Sequence, residues 1–282
     1  MIEESAPAKV NLVLHVGPRR PDGLHDLCSL FASLELADSI AVEPRPGSGH
    51  GDEVLCPGVE GPNLAAAALT AFRAAAPGAE LPPLSVRIDK RIPVAAGLGG
   101  GSADAAAVLR AANRFAGEPL DAGALRAIGL TLGADVPSQV EPRHALVTGA
   151  GEGVEPVELP DMALLLVPSR EGLATGAVYA EADRIGSTRA RLAPAAVRAL
   201  AGAPLAALAN AMANDLEAAA LSLRPELART LAQLEEAGAL AARISGSGPT
   251  AFGVYESSAE AESAAAALAS DAIVTPLRLP VR

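Results

Sequence analysis

Tryptophan is absent from this 282-residue sequence, and the six phenylalanines and tyrosines bring aromatics to only 2%. A core filled by rings is thereby excluded; alanine-rich helices must pack closely through small side chains, and each aromatic present calls for an explanation. Cysteine is nearly absent too. Cys28 and Cys56 can form at most one bridge and offer no C-x-x-C spacing, which fits a reducing compartment. No cluster of His, Cys or paired carboxylates has metal-ligand spacing, so a protein-built metal cage is not expected. Positive charge is in deficit: the net charge of −11 opposes nucleic acid and anionic membranes as partners. No run of 18 strongly apolar residues occurs, and Met1-Ile-Glu-Glu-Ser5 lacks the basic start of an export signal. A cytoplasmic, non-membrane protein is predicted.

What is abundant is alanine, in a chain that is half apolar and long enough for two ordinary domains. The most informative stretch is Pro93-Val94-Ala95-Ala96-Gly97-Leu98-Gly99-Gly100-Gly101-Ser102-Ala103. Before it, Leu84–Asp89 alternates apolar and polar residues as a half-buried strand does. After it, Ala103–Phe115 has no glycine or proline and stops at Gly117-Glu-Pro119, as a helix does. Four glycines in five positions at a helix N-terminus suit a phosphate cradle, where unpaired N–H groups and the helix dipole face an anion. The spacing is neither G-x-x-x-x-G-K-[ST] nor G-x-G-x-x-G nor G-x-S-x-G. A plain turn with Ser102 as N-cap is the other reading.

Along the chain, Lys9–Val16 reads as a strand with Lys9 and Asn11 on one face, Arg19–Gly23 as a turn, and two strand-like runs follow to Glu43. Residues 44–62 read as a loop, 63–76 and 121–132 as helices, and Asp135 as the start of a short helix with Pro137 in its first turn. Strands flank the Gly149–Gly153 turn, and a composition change near Pro156–Pro160 places a domain boundary at 157/158. Beyond it come a strand at Met162–Val167, helical stretches at 175–183 and 194–237, strands at Leu240–Ile244 and Thr250–Tyr255, a helix opened by the capping box Ser257-x-x-Glu260, and a strand at Ala272–Leu279. The order β-α-β-β-α-β is ferredoxin-like.

The glycine stretch resembles the P-x-x-x-G-L-G-S-S-A loop of the galactokinase, homoserine kinase, mevalonate kinase and phosphomevalonate kinase superfamily. Ala6-Pro-Ala-Lys9-Val-Asn11, Arg20-Pro-Asp-Gly-Leu24-His25, Gly133-Ala-Asp135-Val-Pro137 and Ser245-Gly-Ser-Gly-Pro249 extend the likeness over nearly the whole chain. Within the superfamily it is similar to the 4-diphosphocytidyl-2-C-methyl-D-erythritol kinases. The resemblance implies an α+β, two-domain kinase fold: an N-terminal α/β domain, residues 1–157, carrying the phosphate loop and catalytic residues, and a C-terminal ferredoxin-like domain, 158–282. It implies ATP as co-substrate with Mg2+, and phosphorylation of the tertiary 2-hydroxyl of a cytidine diphosphate sugar-alcohol in non-mevalonate isoprenoid precursor synthesis. A homoserine- or mevalonate-type kinase is the alternative within the superfamily, and a nucleotide-binding regulator without turnover the alternative outside it. A monomer or weak dimer is expected.

Phosphoryl transfer needs the triphosphate held, developing charge stabilised and the acceptor hydroxyl deprotonated. The resemblance implies Pro93–Ala103 for the first, Lys9 for the second and Asp135 for the third. Read from the sequence alone, Lys9 can equally be a solvated strand residue and Asp135 a helix cap. His25 can read a base edge or lie in a surface loop; the resemblance implies the base, with Leu24 where the family usually has tyrosine. Tyr179, in Thr175-Gly-Ala-Val-Tyr179, is implied as the aromatic under the cytosine or else is a core residue, with Thr175 and Asn11 as further substrate contacts and Phe31 near them. Asn63 and Asn113 are implied as adenine neighbours. Ser102 is the hydroxyl placed to approach Mg2+. Asp104 is unfavourable near phosphate unless it turns away or pairs with a cation, and Ser245–Pro249 closes over the site or is a tight hairpin.

Overall fold

The protein is described here from a computed structural model, over residues 1–45, 51–59, 61–169, 171–268 and 271–278. Its elements follow in chain order: β1 (Ile2–Arg19), β2 (His25–Pro44), β3 (Glu53–Leu55), α1 (Leu64–Ala75), β4 (Leu84–Asp89), α2 (Gly100–Phe115), α3 (Ala122–Leu132), α4 (Val136–Val140), β5 (Ala145–Gly149), β6 (Gly153–Pro156), β7 (Ala163–Val167), α5 (Thr175–Ile185), α6 (Pro194–Ala201), α7 (Leu205–Ala211), α8 (Glu217–Leu223), α9 (Leu227–Glu236), β8 (Ala241–Ile244), β9 (Ala251–Tyr255), α10 (Ser258–Ala267) and β10 (Ile273–Pro276). Packing divides the chain into two units. One comprises Met1–Ala8, Leu36–Val94 and Gly99–Pro142; the other comprises Lys9–Glu35, Ala95–Leu98 and the chain from Arg143 on. The boundary expected at 157/158 falls inside the second unit, because β5 and β6 pair with the N-terminal half of β2 through Leu27–Phe31 and so belong with it.

In the first unit, β4 pairs antiparallel with the C-terminal half of β2, Ser39–Pro44, and parallel with β3. The expected loop at 44–62 therefore contains a short strand. Asp52 secures it, accepting two hydrogen bonds of 2.7 Å from Arg73 and one of 2.8 Å from Leu84 N. Residues 46–50 and 60 of that loop lie outside the described residues. Helix α2 is buried along nearly its whole length, and its alanines let α1 and α4 approach closely around Phe72, Leu69, Val108 and Leu109.

In the second unit, β7 to β10 form a four-stranded antiparallel sheet in the order β10-β7-β9-β8, with α9 and α10 packed on it. That is the ferredoxin-like order expected from the sequence. Ser257 caps α10, accepting from Glu260 N at 3.3 Å, as the capping box predicts. Three expectations change. The two strand-like runs before Glu43 are one 20-residue strand, β2. The helical stretch 194–237 is four helices, α6 to α9. The last strand ends at Pro276, and Leu279 lies outside the described residues. Cys28 and Cys56 are both free.

Candidate active site

In the first unit the glycine stretch enters α2, which starts at Gly100 and not at Ala103. Gly99 is the N-cap, with φ +72°, and no side chain caps the helix. Ser102 therefore does not cap; it is the third helical residue, half-buried. A Cβ on Gly133 would lie 4.0 Å from Ser102 Oγ, so the start of Gly133-Ala-Asp135 runs beside the first turn of α2. Asp135 is half-buried and holds the N-cap position of α4, yet its side chain makes no capping bond there. Ser138 Oγ donates to its backbone carbonyl at 2.8 Å and fixes the turn.

Behind the N-terminus of α2 lies a buried cluster. Lys90 Nζ donates to Asp104 Oδ2 at 2.8 Å and also bonds Asp38 Oδ2. Asp38, 1% exposed, accepts from Arg91 N at 2.6 Å and Ile92 N at 2.8 Å through its other oxygen. One carboxylate thus holds the backbone leading into the glycine stretch and, through Lys90, the first turn of α2. Burial lowers the Lys90 pKa, but the hydrogen bonds and charges of Asp104 and Asp38 outweigh it and the net shift is upward. Burial pushes the Asp104 carboxyl up to about 7, against the pull of Lys90 and with help from the Asp38 charge. Asp104 is thus turned inward and paired, which removes its conflict with a phosphate.

In the second unit, Ala95–Leu98 carries the rest of the stretch. Gly97 has φ +75°, and a Cβ there would stand 2.6 Å from Ser245 O and 2.7 Å from Gly248 O, so only glycine fits. The carbonyls of Ala96, Gly97 and Leu98 accept from Thr250 N at 3.3 Å, Ser245 Oγ at 3.0 Å and Lys9 N at 3.0 Å. Three successive acceptors that would repel an anion are thereby engaged by the protein. Ser245–Pro249 joins β8 to β9, so it is a hairpin, and it is also the wall against which the glycine stretch rests. Asn214 anchors it, donating to Ile244 O and Gly246 O at 2.8 Å each.

Lys9 is 4% exposed, which overturns the reading of a solvated strand residue. Its ammonium donates to Asn11 Oδ1 at 2.8 Å and lies 4.7 Å over the Phe31 ring. Asn11 donates on to Ser29 Oγ at 2.8 Å, and Ser29 to Val13 O at 2.6 Å. Phe31 is thus a floor for Lys9. A Cβ on Gly246 would come within 3.2 Å of Asn11 Oδ1, which puts the second glycine turn beside the pair.

His25 and Tyr179, 154 positions apart in sequence, meet with ring centroids 5.2 Å apart at 36°. His25 is buried, not a surface-loop residue, and its Nε2 meets Asp183 Oδ1 at 2.8 Å. Tyr179 is half-buried at the edge of the cluster that holds Val178 and Phe31. Thr175 is exposed at the start of α5, with Oγ1 3.0 Å from Ser247 Oγ. Leu24 is 55% exposed. The implied adenine neighbours are otherwise occupied. Asn63 caps α1, accepting from Ala65 N at 2.8 Å, and Asn113 spends both ends of its amide on Leu120. The sequence reading missed Asp38, Lys90, Ser29, Asp183 and Asn214. Among the described residues no group of three or more His, Cys, Asp or Glu can hold a metal ion, and no helix is long and apolar enough to cross a membrane.

Comparison with known proteins adds a second line of observation. The family signatures GHMP kinases N terminal domain and GHMP kinases C terminal match residues 63–141 and 195–273, one on either side of 157/158. A 4-diphosphocytidyl-2-C-methyl-D-erythritol kinase of Rhizobium johnstonii is 42% identical over 95% of this chain and 88% of its own. A crystal structure of 4-(cytidine 5'-diphospho)-2C-methyl-D-erythritol kinase covers 98% of this chain and 99% of its own, at 35% identity and TM-score 0.79. The homoserine kinase from Cytophaga hutchinsonii, at 18% identity and TM-score 0.70 over 98% of this chain and 94% of its own, shares the fold.

Proposed function

The chain belongs to the 4-diphosphocytidyl-2-C-methyl-D-erythritol kinase family, and from that premise we propose that it transfers the γ-phosphoryl group of ATP to the tertiary 2-hydroxyl of 4-diphosphocytidyl-2-C-methyl-D-erythritol. The reaction supplies a phosphorylated intermediate of non-mevalonate isoprenoid precursor synthesis, in the cytoplasm. The observation that carries this reading is the 42% identity over 95% of the chain; the joined His25–Tyr179 rings support a base-bearing acceptor, which homoserine and mevalonate are not.

In this reading Pro93–Ala103 receives the triphosphate on backbone N–H groups and the N-terminus of α2. The acceptor oxygen bonds to the γ-phosphorus as the bond to the ADP oxygen breaks, and Asp135 takes the hydroxyl proton. The Lys9 ammonium, oriented by Asn11 and Phe31, stabilises charge on the transferring group. Asn11, His25, Thr175 and Tyr179 hold the acceptor. A magnesium ion needs few protein ligands when nucleotide phosphates and water supply most of its oxygens, and the hydroxyl donor in the stretch, Ser102, fits that role. When bound, it neutralises phosphate charge.

A coupled assay of ADP release with the cytidine diphosphate substrate, homoserine and mevalonate tests the assignment; turnover with the first alone is expected. Asp135→Asn should lower kcat by ~10²–10⁴-fold with melting temperature little changed, since the native carboxylate does not cap α4. A variant turning over at near wild-type rate assigns the proton to another acceptor.

A further inference from the structure

An imidazole that meets a base edge presents either a donor or an acceptor, and the hydrogen bond at its other nitrogen decides which. At His25 that other bond is visible. Nε2 lies 2.8 Å from Asp183 Oδ1, an oxygen that can only accept when the carboxylate is ionised, so Nε2 carries the proton and neutral His25 keeps a lone pair on Nδ1. The geometry is stiff on both sides. The His25 side chain is 5% exposed and packs against the Tyr179 ring, while Asp183 follows Tyr179 by one turn of α5, so one helix supplies the stacking ring and the orienting carboxylate. The preceding turn is pinned as well, with Arg20 N donating to Leu24 O at 2.6 Å and Leu24 N to Asp22 Oδ1 at 3.0 Å.

We propose that Asp183 is a positioning residue that sets the tautomer of His25 and thereby selects an amino-bearing pyrimidine over an oxo-bearing one. Cytosine carries an exocyclic amine that donates; uracil carries in its place a carbonyl that accepts. The Nδ1 lone pair meets the first as a hydrogen bond and the second as two lone pairs in opposition. The inference rests on the reading that the His25–Tyr179 pair receives the base, and it names what distinguishes the base at that site. Asp183 does not touch the acceptor; it acts through His25.

The test is the ratio of kcat/KM for the cytidine substrate to that for its uridine counterpart, measured in the intact enzyme. Asp183→Asn can donate or accept, so the bias on the ring is lost. The ratio should fall by at least ~10-fold, through a higher KM for the cytidine substrate with kcat nearly unchanged. Asp183→Glu keeps an accepting carboxylate one methylene further out and should retain most of the selectivity, which a general packing role for Asp183 would not predict. His25→Ala and Tyr179→Ala separate the two levels. If both raise the KM for the cytidine substrate while Asp183→Asn leaves the ratio at its wild-type value, the base sits there and the tautomer proposal is overturned. If neither moves that KM, the base is held elsewhere and the proposal falls with the reading beneath it.

Discussion

Lys9 and Lys90 are the chain's two lysines, Lys9 buried and Lys90 half-buried, both next to the glycine stretch, and the groups around them differ. Lys90 lies between two buried carboxylates, Asp38 and Asp104, which match its charge within its own unit and tie it to backbone on either side of the stretch. The Lys9 ammonium donates to an amide oxygen and lies over a ring face, groups that orient a cation. Burial alone therefore says little about what a lysine is for. The chemistry of its partners separates a lysine that ties the loop together through carboxylates from one that an amide oxygen and a ring face orient.

The sharpest way to break this comparison is to remove each ammonium while keeping its bulk. Lys90→Met leaves Asp38 and Asp104 buried without their cation, a loss typically worth about 3–5 kcal/mol. Denaturant unfolding should register most of it as lost stability, while kcat at saturating ATP stays within a few-fold of wild type. A drop in kcat of two orders or more, with stability intact, would give Lys90 the role assigned to Lys9. Lys9→Met is expected to do the reverse. Removing a charge that acts on the transferring group lowers kcat by ~10²–10³-fold, and unfolding should change little because Met fills the same space above Phe31. Steady-state rates and a melting curve on the same preparation check both halves.

The loop and its helix were legible from sequence because glycine number and the Pro119 stop are local signals, and the ferredoxin-like order was legible because its strands are short and bounded by turns. The resemblance, not periodicity, supplied the roles of Lys9, Asp135, His25 and Tyr179. What escaped was non-local. Asp38 and Asp104 reach Lys90 from 52 and 14 positions away, and Asp183 reaches His25 from 158; nothing in spacing marks such convergence. The break in the helical stretch after α7 escaped for the same reason. No glycine or proline lies between Met212 and Leu216; the turn exists because Asn214 bonds Leu216 N and the backbone of the second glycine turn. Alanine-rich sequence reads as helix wherever tertiary hydrogen bonds are out of sight.

A smaller effect, at the same cluster, measures how completely Lys90 compensates its partners. The Asp104 carboxyl is pushed up to about 7 because burial and the Asp38 charge outweigh the pull of Lys90, and its Oδ1 has no hydrogen-bond partner among the described residues. A carboxyl whose pKa is higher folded than unfolded binds its proton more tightly in the native state. Below the unfolded value near 3.8 both states are protonated and the group is neutral in the balance. As pH rises from there toward 7 the unfolded chain ionises first, and native stability falls. Asp104→Asn removes that titration and leaves the other groups common to both proteins. The melting temperature of wild type should therefore decline relative to that of the variant between about pH 4 and pH 7 and run parallel to it above that range. A difference that stays flat over the whole range would mean that Lys90 keeps Asp104 ionised throughout. Both carboxylates would then be matched by one lysine at every working pH.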